Sequence, residues 1–329
     1  MIAEPDLHPI VRIAPAKVNL TLAIGPRRPD GYHELHSVMV PIGLADRLSV
    51  SRGHGAEDSL HVTGEDGPPR PDDLVLRGIA AARAAARRSV GPGAELGPLA
   101  ARLEKRIPIA AGLAGGSSDA AAALEAALEA WGVTLAGHDR IAAAASVGSD
   151  VPFFLAHGPA LVEGRGEQVT PLRGLRGEPA GILVVTPRLH VSTAAAFARL
   201  DEDPDAAPAD RASSRVSSSH LADELRAGLR ADDLVLRAGV LSTANDLVNA
   251  TATLVPELRR VRRGLARLLG RPVGQSGSGP TLWALYPSAT DAEAAASALA
   301  VAQAEGRLEA PGDGPAQIIA TTIGGGRDG

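Results

Sequence analysis

Residues Pro108 to Asp119 read Pro-Ile-Ala-Ala-Gly-Leu-Ala-Gly-Gly-Ser-Ser-Asp and run straight into an alanine-rich stretch that ends at Trp131. This segment narrows the fold more than any other. A turn of small residues that opens a helix leaves the first-turn N–H groups free at the positive end of the helix dipole. Such an end suits a phosphate. Gly112, Gly115 and Gly116 let the backbone approach it closely, and Ser117 or Ser118 can offer a hydroxyl to phosphate or to Mg2+. The plain alternative is a flexible turn capped by serine. The length and order of the run favour the phosphate. The commoner nucleotide motifs do not fit: no lysine follows as in a P-loop, and no G-x-G-x-x-G is present.

Two further segments invite chemistry. Gly148-Ser149-Asp150-Val151-Pro152-Phe153-Phe154 places an aspartate where a helix begins. Alone, such a residue is more often a cap or a solvated charge. Phosphoryl transfer to an alcohol needs a group that orients or accepts the hydroxyl proton, and a cation that holds the moving charge. Asp150 and Lys17 can form that pair. Composition sharpens the lysine: of 33 basic side chains only Lys17 and Lys105 are lysines, the other 31 being arginine. A compact ammonium and a planar guanidinium do different jobs, so the two lysines mark positions where the fork fails, unless they survive by chance. Gln275-Ser276-Gly277-Ser278-Gly279-Pro280-Thr281 is a glycine-rich turn between two strands, readable also as a simple hairpin loop.

Along the chain, Val11 to Ile24 alternates, with Val18, Leu20, Leu22 and Ile24 on one face and Lys17, Asn19 and Thr21 on the other. Period two means a strand. Strands are also predicted at Leu35–Leu44, Arg47–Ser51, Leu60–Thr63, Leu99–Ile107, Phe153–Ala156, Ala160–Glu163, Gly181–Thr186, through Gly277, at Thr281–Tyr286 and at Gln317–Ile323. Helices are predicted from Pro71-Asp72-Asp73 to Arg88, and at Ser117–Trp131, His138–Val147, Ser192–Leu200, Ala222–Leu229, Asn245–Thr253, Glu257–Leu269 and Ala292–Val301. Asp201–Ser219, rich in Asp, Ala, Pro and Ser, reads as a mobile loop. Strands and helices without strict alternation give an α+β class.

The 329 residues allow two domains, and a net charge of −5 argues against nucleic acid. With no cysteine, disulfides and thiol chemistry are excluded. No apolar run of 18 residues is present and Met1–Pro9 is no secretory signal, so no membrane partner is expected and the cytoplasm is the default location.

Taken in order, the three segments resemble the three motifs of the GHMP kinases. Pro15-Ala16-Lys17-Val18-Asn19-Leu20, followed by Arg28-Pro29-Asp30-Gly31-Tyr32-His33, resembles the branch whose acceptor carries a cytidine diphosphate. The likeness runs from about Val11 to Ile323 and is poorest over Asp201–Asp233. It implies an N-terminal domain over 1–170 like the second domain of ribosomal protein S5, and a ferredoxin-like C-terminal domain over 171–329, with ATP and substrate in a cleft between them. The implied reaction is transfer of the ATP γ-phosphate, with Mg2+, to the 2-hydroxyl of 4-diphosphocytidyl-2-C-methyl-D-erythritol, a step of the non-mevalonate route to isopentenyl diphosphate. Lys17 and Asp150 fall on the family's catalytic pair. Pro108, Ile109, Ala110, Ala111, Gly112, Leu113, Ala114, Gly115, Gly116, Ser117 and Ser118 fall on its ATP loop, and Lys105 on a lysine near adenine. Tyr32 and Phe197 fall where cytosine is stacked, His33 where its edge is read, and Asn19, Thr193, Gly277 and Ser278 on other substrate contacts. No metal site made by the protein alone and no protein partner is implied.

The sequence departs from the pattern in places. Ala110, Ala111 and Ala114 stand where glycine is frequent, and a methyl is tolerable there wherever φ is negative. Asp119 replaces a common asparagine or alanine, and Ala194 a usual proline. His33-Glu34-Leu35-His36 lacks the spacing of the H-E-x-x-H zinc motif and lies on a predicted strand. The competing readings are another GHMP kinase, of homoserine or mevalonate type, and a non-catalytic ligand-binding protein of the same fold.

Overall fold

Alanine and leucine lose little freedom in a helix, whereas branched and aromatic residues suit a pleated sheet. The computed structural model describes residues 9–64, 73–91, 93, 95–202, 212–309 and 311–324. In chain order its elements are β1 (Ile10–Asn19), β2 (Ala23–Arg27), β3 (His33–Arg52), β4 (Ser59–Thr63), α1 (Leu74–Val90), β5 (Leu99–Glu104), α2 (Gly115–Ala130), α3 (Gly137–Val147) and α4 (Val151–Phe154). Then follow β6 (Ala160–Gly164), β7 (Gln168–Pro171), β8 (Gly181–Thr186), α5 (Thr193–Asp201), α6 (Ala212–Ala227), α7 (Ala231–Leu236), α8 (Ala238–Leu241), α9 (Leu247–Leu254) and α10 (Pro256–Leu269). The chain closes with β9 (Gly274–Gln275), β10 (Leu282–Tyr286), α11 (Ala289–Ala304) and β11 (Gln317–Thr322). The expected α+β class is borne out.

The chain divides into two compact units, one of residues 1–16, 45–109 and 114–155, the other of residues 17–44, 110–113 and 156–329. In the first, the second half of β3 pairs antiparallel with β5 from Arg47↔Glu104 to Arg52↔Leu99, and β4 adds parallel to β5. Helices α1 to α4 pack together beside them. Asp73 caps α1, its carboxylate accepting from Val75 N at 2.8 Å. Pro71 and Asp72, the rest of the expected start signal, lie outside the described residues.

In the second unit the first half of β3 pairs with β2 and with β6, which carries β7 at its far side. A separate four-stranded antiparallel sheet has the order β11-β8-β10-β9. Its apolar face, with Leu183, Val185, Leu282 and Ala284, closes a core against Leu258, Val261 and Leu265 of α10 and Ala292 and Leu299 of α11. A smaller core joins Leu22 and Ile24 to Leu200, Leu247 and Ala250.

Two expectations need correction. Phe153–Ala156 is not a strand: Val151–Phe154 is a helical turn whose first residues include Pro152, and proline suits a helix start because its missing N–H is not needed there. Asp201–Ser219 is not one loop. Asp201 ends α5, and Ala212–Ser219 form the start of α6, with Ser214 and Ser218 buried; residues 203–211 lie outside the described set. Lys17, Asn19 and Thr21, the polar side of the first strand region, are all buried.

The loop alanines differ in backbone conformation. Ala110 and Ala114 take φ of +54° and +55°, in the left-handed region that costs a β-carbon about 1–2 kcal/mol. Of the three loop alanines, only Ala111 meets the negative-φ condition under which a methyl is readily tolerated. Ala110 is exposed, so its methyl supplies no packing that offsets the strain. Replacing both Ala110 and Ala114 by glycine should therefore raise the melting temperature by roughly 1–3 °C, the released strain exceeding the entropy glycine adds to the unfolded chain. A lower melting temperature in the double variant would mean that the methyls pack.

Candidate active site

In the second unit three distant segments converge. Lys17, only 4% exposed, donates from Nζ to Asn19 Oδ1 at 2.7 Å, and its backbone N–H donates to Leu113 O at 3.0 Å. Asn19 in turn donates from N to Ser276 Oγ at 3.2 Å and from Nδ2 to Ser37 Oγ at 2.8 Å. Ser276 Oγ donates to Gly112 O at 3.2 Å. Thus the strand bearing Lys17, the small-residue loop at 110–113 and the turn at 276–279 form one hydrogen-bonded knot. Gly112 has φ +78°, and a β-carbon there would lie 2.9 Å from Gly279 O. Only glycine fits this crossing.

The Gly277 turn is itself fastened by residues that the sequence reading did not single out. Asn245 Nδ2 donates to Gln275 O at 3.0 Å and to Gly277 O at 2.9 Å, and Thr251 Oγ1 to Ser278 O at 3.1 Å. Scarcity was the available signal, since Asn245 is one of only three asparagines. Thr193 Oγ1 and Ser278 Oγ are 2.9 Å apart, so these two predicted contacts meet.

His33 and Phe197 also meet, their rings stacked at 5.2 Å with 25° between planes, and His33 Nε2 lies 2.7 Å from Asp201 Oδ1. Tyr32 stands apart in the loop before β3, 59% exposed, with the Arg165 guanidinium 5.0 Å from its ring centre. His36 Nδ1 pairs with Ser218 Oγ at 2.9 Å. The two histidines of the His-Glu-Leu-His run thus have partners on α5 and α6, and no group of acids and histidines able to hold a metal exists among the described residues.

In the first unit the loop continues through Ala114 into α2, whose first turn is Gly115, Gly116, Ser117 and Ser118. Ala114 makes no side-chain cap, so the first N–H groups of α2 point out of the helix end. Ser117 is half-buried, whereas Ser118 Oγ is buried without a hydrogen-bond partner. Of the two hydroxyls, Ser117 is the better placed for an incoming oxygen or cation. Asp150 lies half-buried just before α4 and does not cap that helix with its side chain.

Beneath the loop sits a buried charge cluster. Lys105 Nζ donates to Asp46 Oδ2 at 2.5 Å and to Asp119 Oδ2 at 2.8 Å. Burial pushes the Asp119 carboxyl up to about 8, Lys105 opposing the shift and Asp46 adding to it. Burial also works against the Lys105 charge, but the two carboxylates overcome it and its pKa is raised. The ammonium expected beside adenine is thus committed to two acids through two of its three N–H groups.

Known proteins resemble this chain over most of its length. Residues 73–158 match the family described as GHMP kinases N terminal domain, and residues 225–304 match GHMP kinases C terminal. The chain is 43% identical over 292 residues to the 4-diphosphocytidyl-2-C-methyl-D-erythritol kinase of Salinispora arenicola, covering 87% of this chain and 86% of that one. It is 37% identical to the enzyme of the same name from Pelotomaculum thermopropionicum, over 84% of this chain and 88% of that one. A crystal structure of 4-(cytidine 5'-diphospho)-2C-methyl-D-erythritol kinase superimposes with a TM-score of 0.69 at 33% identity, covering 96% of this chain and 100% of that chain. Homoserine kinase from Cytophaga hutchinsonii, at 18% identity and a TM-score of 0.68, shares the fold. With full-length relatives above 30% identity and both domain families matched, the chain belongs to the GHMP kinases, in the family of the 4-diphosphocytidyl-2-C-methyl-D-erythritol kinases.

Proposed function

We propose that the protein transfers the γ-phosphoryl group of ATP to the 2-hydroxyl of 4-diphosphocytidyl-2-C-methyl-D-erythritol, giving the 2-phosphate and ADP. The observation that carries this reading is the knot of Lys17, Asn19, Ser276 and Gly112, which joins the strand of Lys17 to the small-residue loop and to the Gly277 turn. Asp150 orients the hydroxyl and accepts its proton as the oxygen bonds to the γ-phosphorus. The bond from that phosphorus to the bridging oxygen breaks, and the electron pair leaves with ADP. Lys17 holds the charge on the transferring group, as a desolvated ammonium does more strongly than one in water. The loop from Pro108 to Ser118 receives the phosphates on its N–H groups, with Lys105 at its base. Mg2+, when bound with ATP, neutralises phosphate charge; Ser117 is the hydroxyl available to it. Asn19, Thr193, Gly277 and Ser278 border the acceptor.

Tyr32, His33 and Phe197 hold the cytosine, and the exposure of Tyr32, at 59%, supports this role, a base being able to stack there if it displaces the Arg165 guanidinium from the ring or takes its other face. Base–aromatic stacking is worth roughly 1–3 kcal/mol, about five-fold to a hundred-fold in affinity. Tyr32→Ala should raise KM for the cytidyl substrate by about that factor and leave KM for ATP and the melting temperature nearly unchanged. A coupled ADP-release assay with the cytidyl substrate, homoserine and mevalonate tests both points. Turnover of homoserine or mevalonate in place of the cytidyl alcohol would defeat the substrate assignment, as would equal loss for ATP and acceptor in the tyrosine variant.

A further inference from the structure

We infer that Asp46, Lys105 and Asp119 form a clamp that sets the shape of the phosphate loop, with Asp119 a positioning residue for the nucleotide. The inference rests on the reading that this loop holds the ATP phosphates. Its geometry is that of a fastener. Asp46 on β3 accepts from Arg106 N at 2.5 Å and Ile107 N at 2.9 Å through Oδ1, so it holds the backbone immediately before Pro108. Through Oδ2 it accepts from Lys105 Nζ, which donates onward to Asp119 in the second turn of α2. The chain entering the loop and the helix leaving it are thereby tied to one point on the sheet. The space is tight: a β-carbon on Gly115 would lie 2.9 Å from Ile107 Cγ2 and 3.4 Å from Lys105 Nζ.

Two features make this more than an internal salt bridge. First, the loop between the tied ends carries alanines in the left-handed region at 110 and 114. Strained backbone persists only where its surroundings over-determine it, and the clamp supplies that constraint. Second, a buried cluster of one ammonium and two carboxyl groups is a poor device for stability. Apolar side chains of similar volume commonly do as well or better, because the desolvation of the ions offsets their attraction. What the cluster adds is a defined geometry. Its charge also suits the site, since the burial that favours the acid form of Asp119 keeps surplus negative charge away from a helix end that receives phosphate. Asp119 is 2% exposed and Asp46 is fully buried, so neither is placed to touch a substrate.

The test compares Asp119→Asn with Asp119→Ala in the full chain. The amide keeps an oxygen acceptor for Lys105 and mimics the neutral acid. Alanine removes the tie to α2 and leaves Lys105 paired with Asp46. The readouts are calorimetric affinity for ATP with Mg2+, affinity for the cytidyl alcohol, and melting temperature. Asp119→Asn should bind ATP within about threefold of the parent. Asp119→Ala should lose about ten- to a hundred-fold, the scale of small misplacements at a site, with acceptor affinity and melting temperature near the parent's. ATP affinity unchanged in a folded Asp119→Ala overturns the clamp, and so does equal loss of both substrates with a large fall in melting temperature. If Asp119→Ala does not fold, Asp46→Asn replaces it, with the same expected loss for ATP and the same overturning result. A parent protein that binds no ATP would overturn the loop reading itself, an outcome distinct from a parent that binds and a variant that does not differ.

Discussion

Asp150→Asn should lower kcat by about 10²–10⁴, the usual worth of general-base help, while ATP binds almost as before. The amide preserves the volume and can still accept a hydrogen bond, but it cannot take the hydroxyl proton. Asp150 precedes α4 without capping it, so the substitution removes no helix cap and should leave the melting temperature within a degree or so. Those two properties separate a chemical role from a structural one. Single-turnover measurement at saturating ATP and acceptor checks it, together with nucleotide affinity. Turnover within threefold of the parent would remove Asp150 from the mechanism.

Lys17→Arg should be nearly as damaging as Lys17→Ala, each reducing kcat by about 10²–10³, the scale seen when one preorganised charge-stabilising donor is lost. The structure supplies the reason. The ammonium is buried to 4% exposure and is held 2.7 Å from Asn19 Oδ1, in a knot that also includes Ser276 and Gly112. A guanidinium is longer, planar and larger. In close-packed surroundings it either displaces the knot or turns away from it. The composition leads to the same expectation, because a chain with 31 arginines retains lysine at only two positions. Lys17 is buried and Lys105 half-buried, and both are hydrogen-bonded, one to Asn19 and the other to two aspartates. An arginine variant that keeps most of its kcat would break the link between lysine scarcity and function.

Much of the site was legible because its signals are local. A run of small residues ahead of an alanine-rich helix reads as a helix end suited to phosphate, since the free N–H groups belong to the helix itself. The alternation that puts Lys17, Asn19 and Thr21 on one side of a strand is likewise a property of backbone geometry. So is the punctuation of Asp73 before α1. In each case the residues that make the interaction lie within a few positions of one another.

Short apolar or polar stretches were less legible. Val151–Phe154 is four residues long, too short for either a period of two or of 3.6 to declare itself, and it proved helical. Ala212–Ser219 has the composition of a loop, yet packing decides it. Ser218 is fully buried, hydrogen-bonded to Thr21 Oγ1 at 2.9 Å and to His36 Nδ1 at 2.9 Å, partners roughly 200 and 180 positions away. Tertiary burial of one face overrides weak helix propensity there.

What the sequence by itself determined, then, is the helix end suited to phosphate, the strand that carries the lysine, and the order of the three motifs. Those follow from backbone periodicity and from the conformations that glycine, proline and alanine allow. Only the tertiary structure decided which of these groups meet. It set Ala110 and Ala114 at positive φ, brought Asn245 to the Gly277 turn from 32 residues away, and drew Asp46, Lys105 and Asp119 into one buried cluster across separations of 59 and 14 residues. The reason is physical: a buried charge or a strained dihedral is tolerated only when partners from other elements compensate it, and those partners are named by the fold, not by the neighbouring letters.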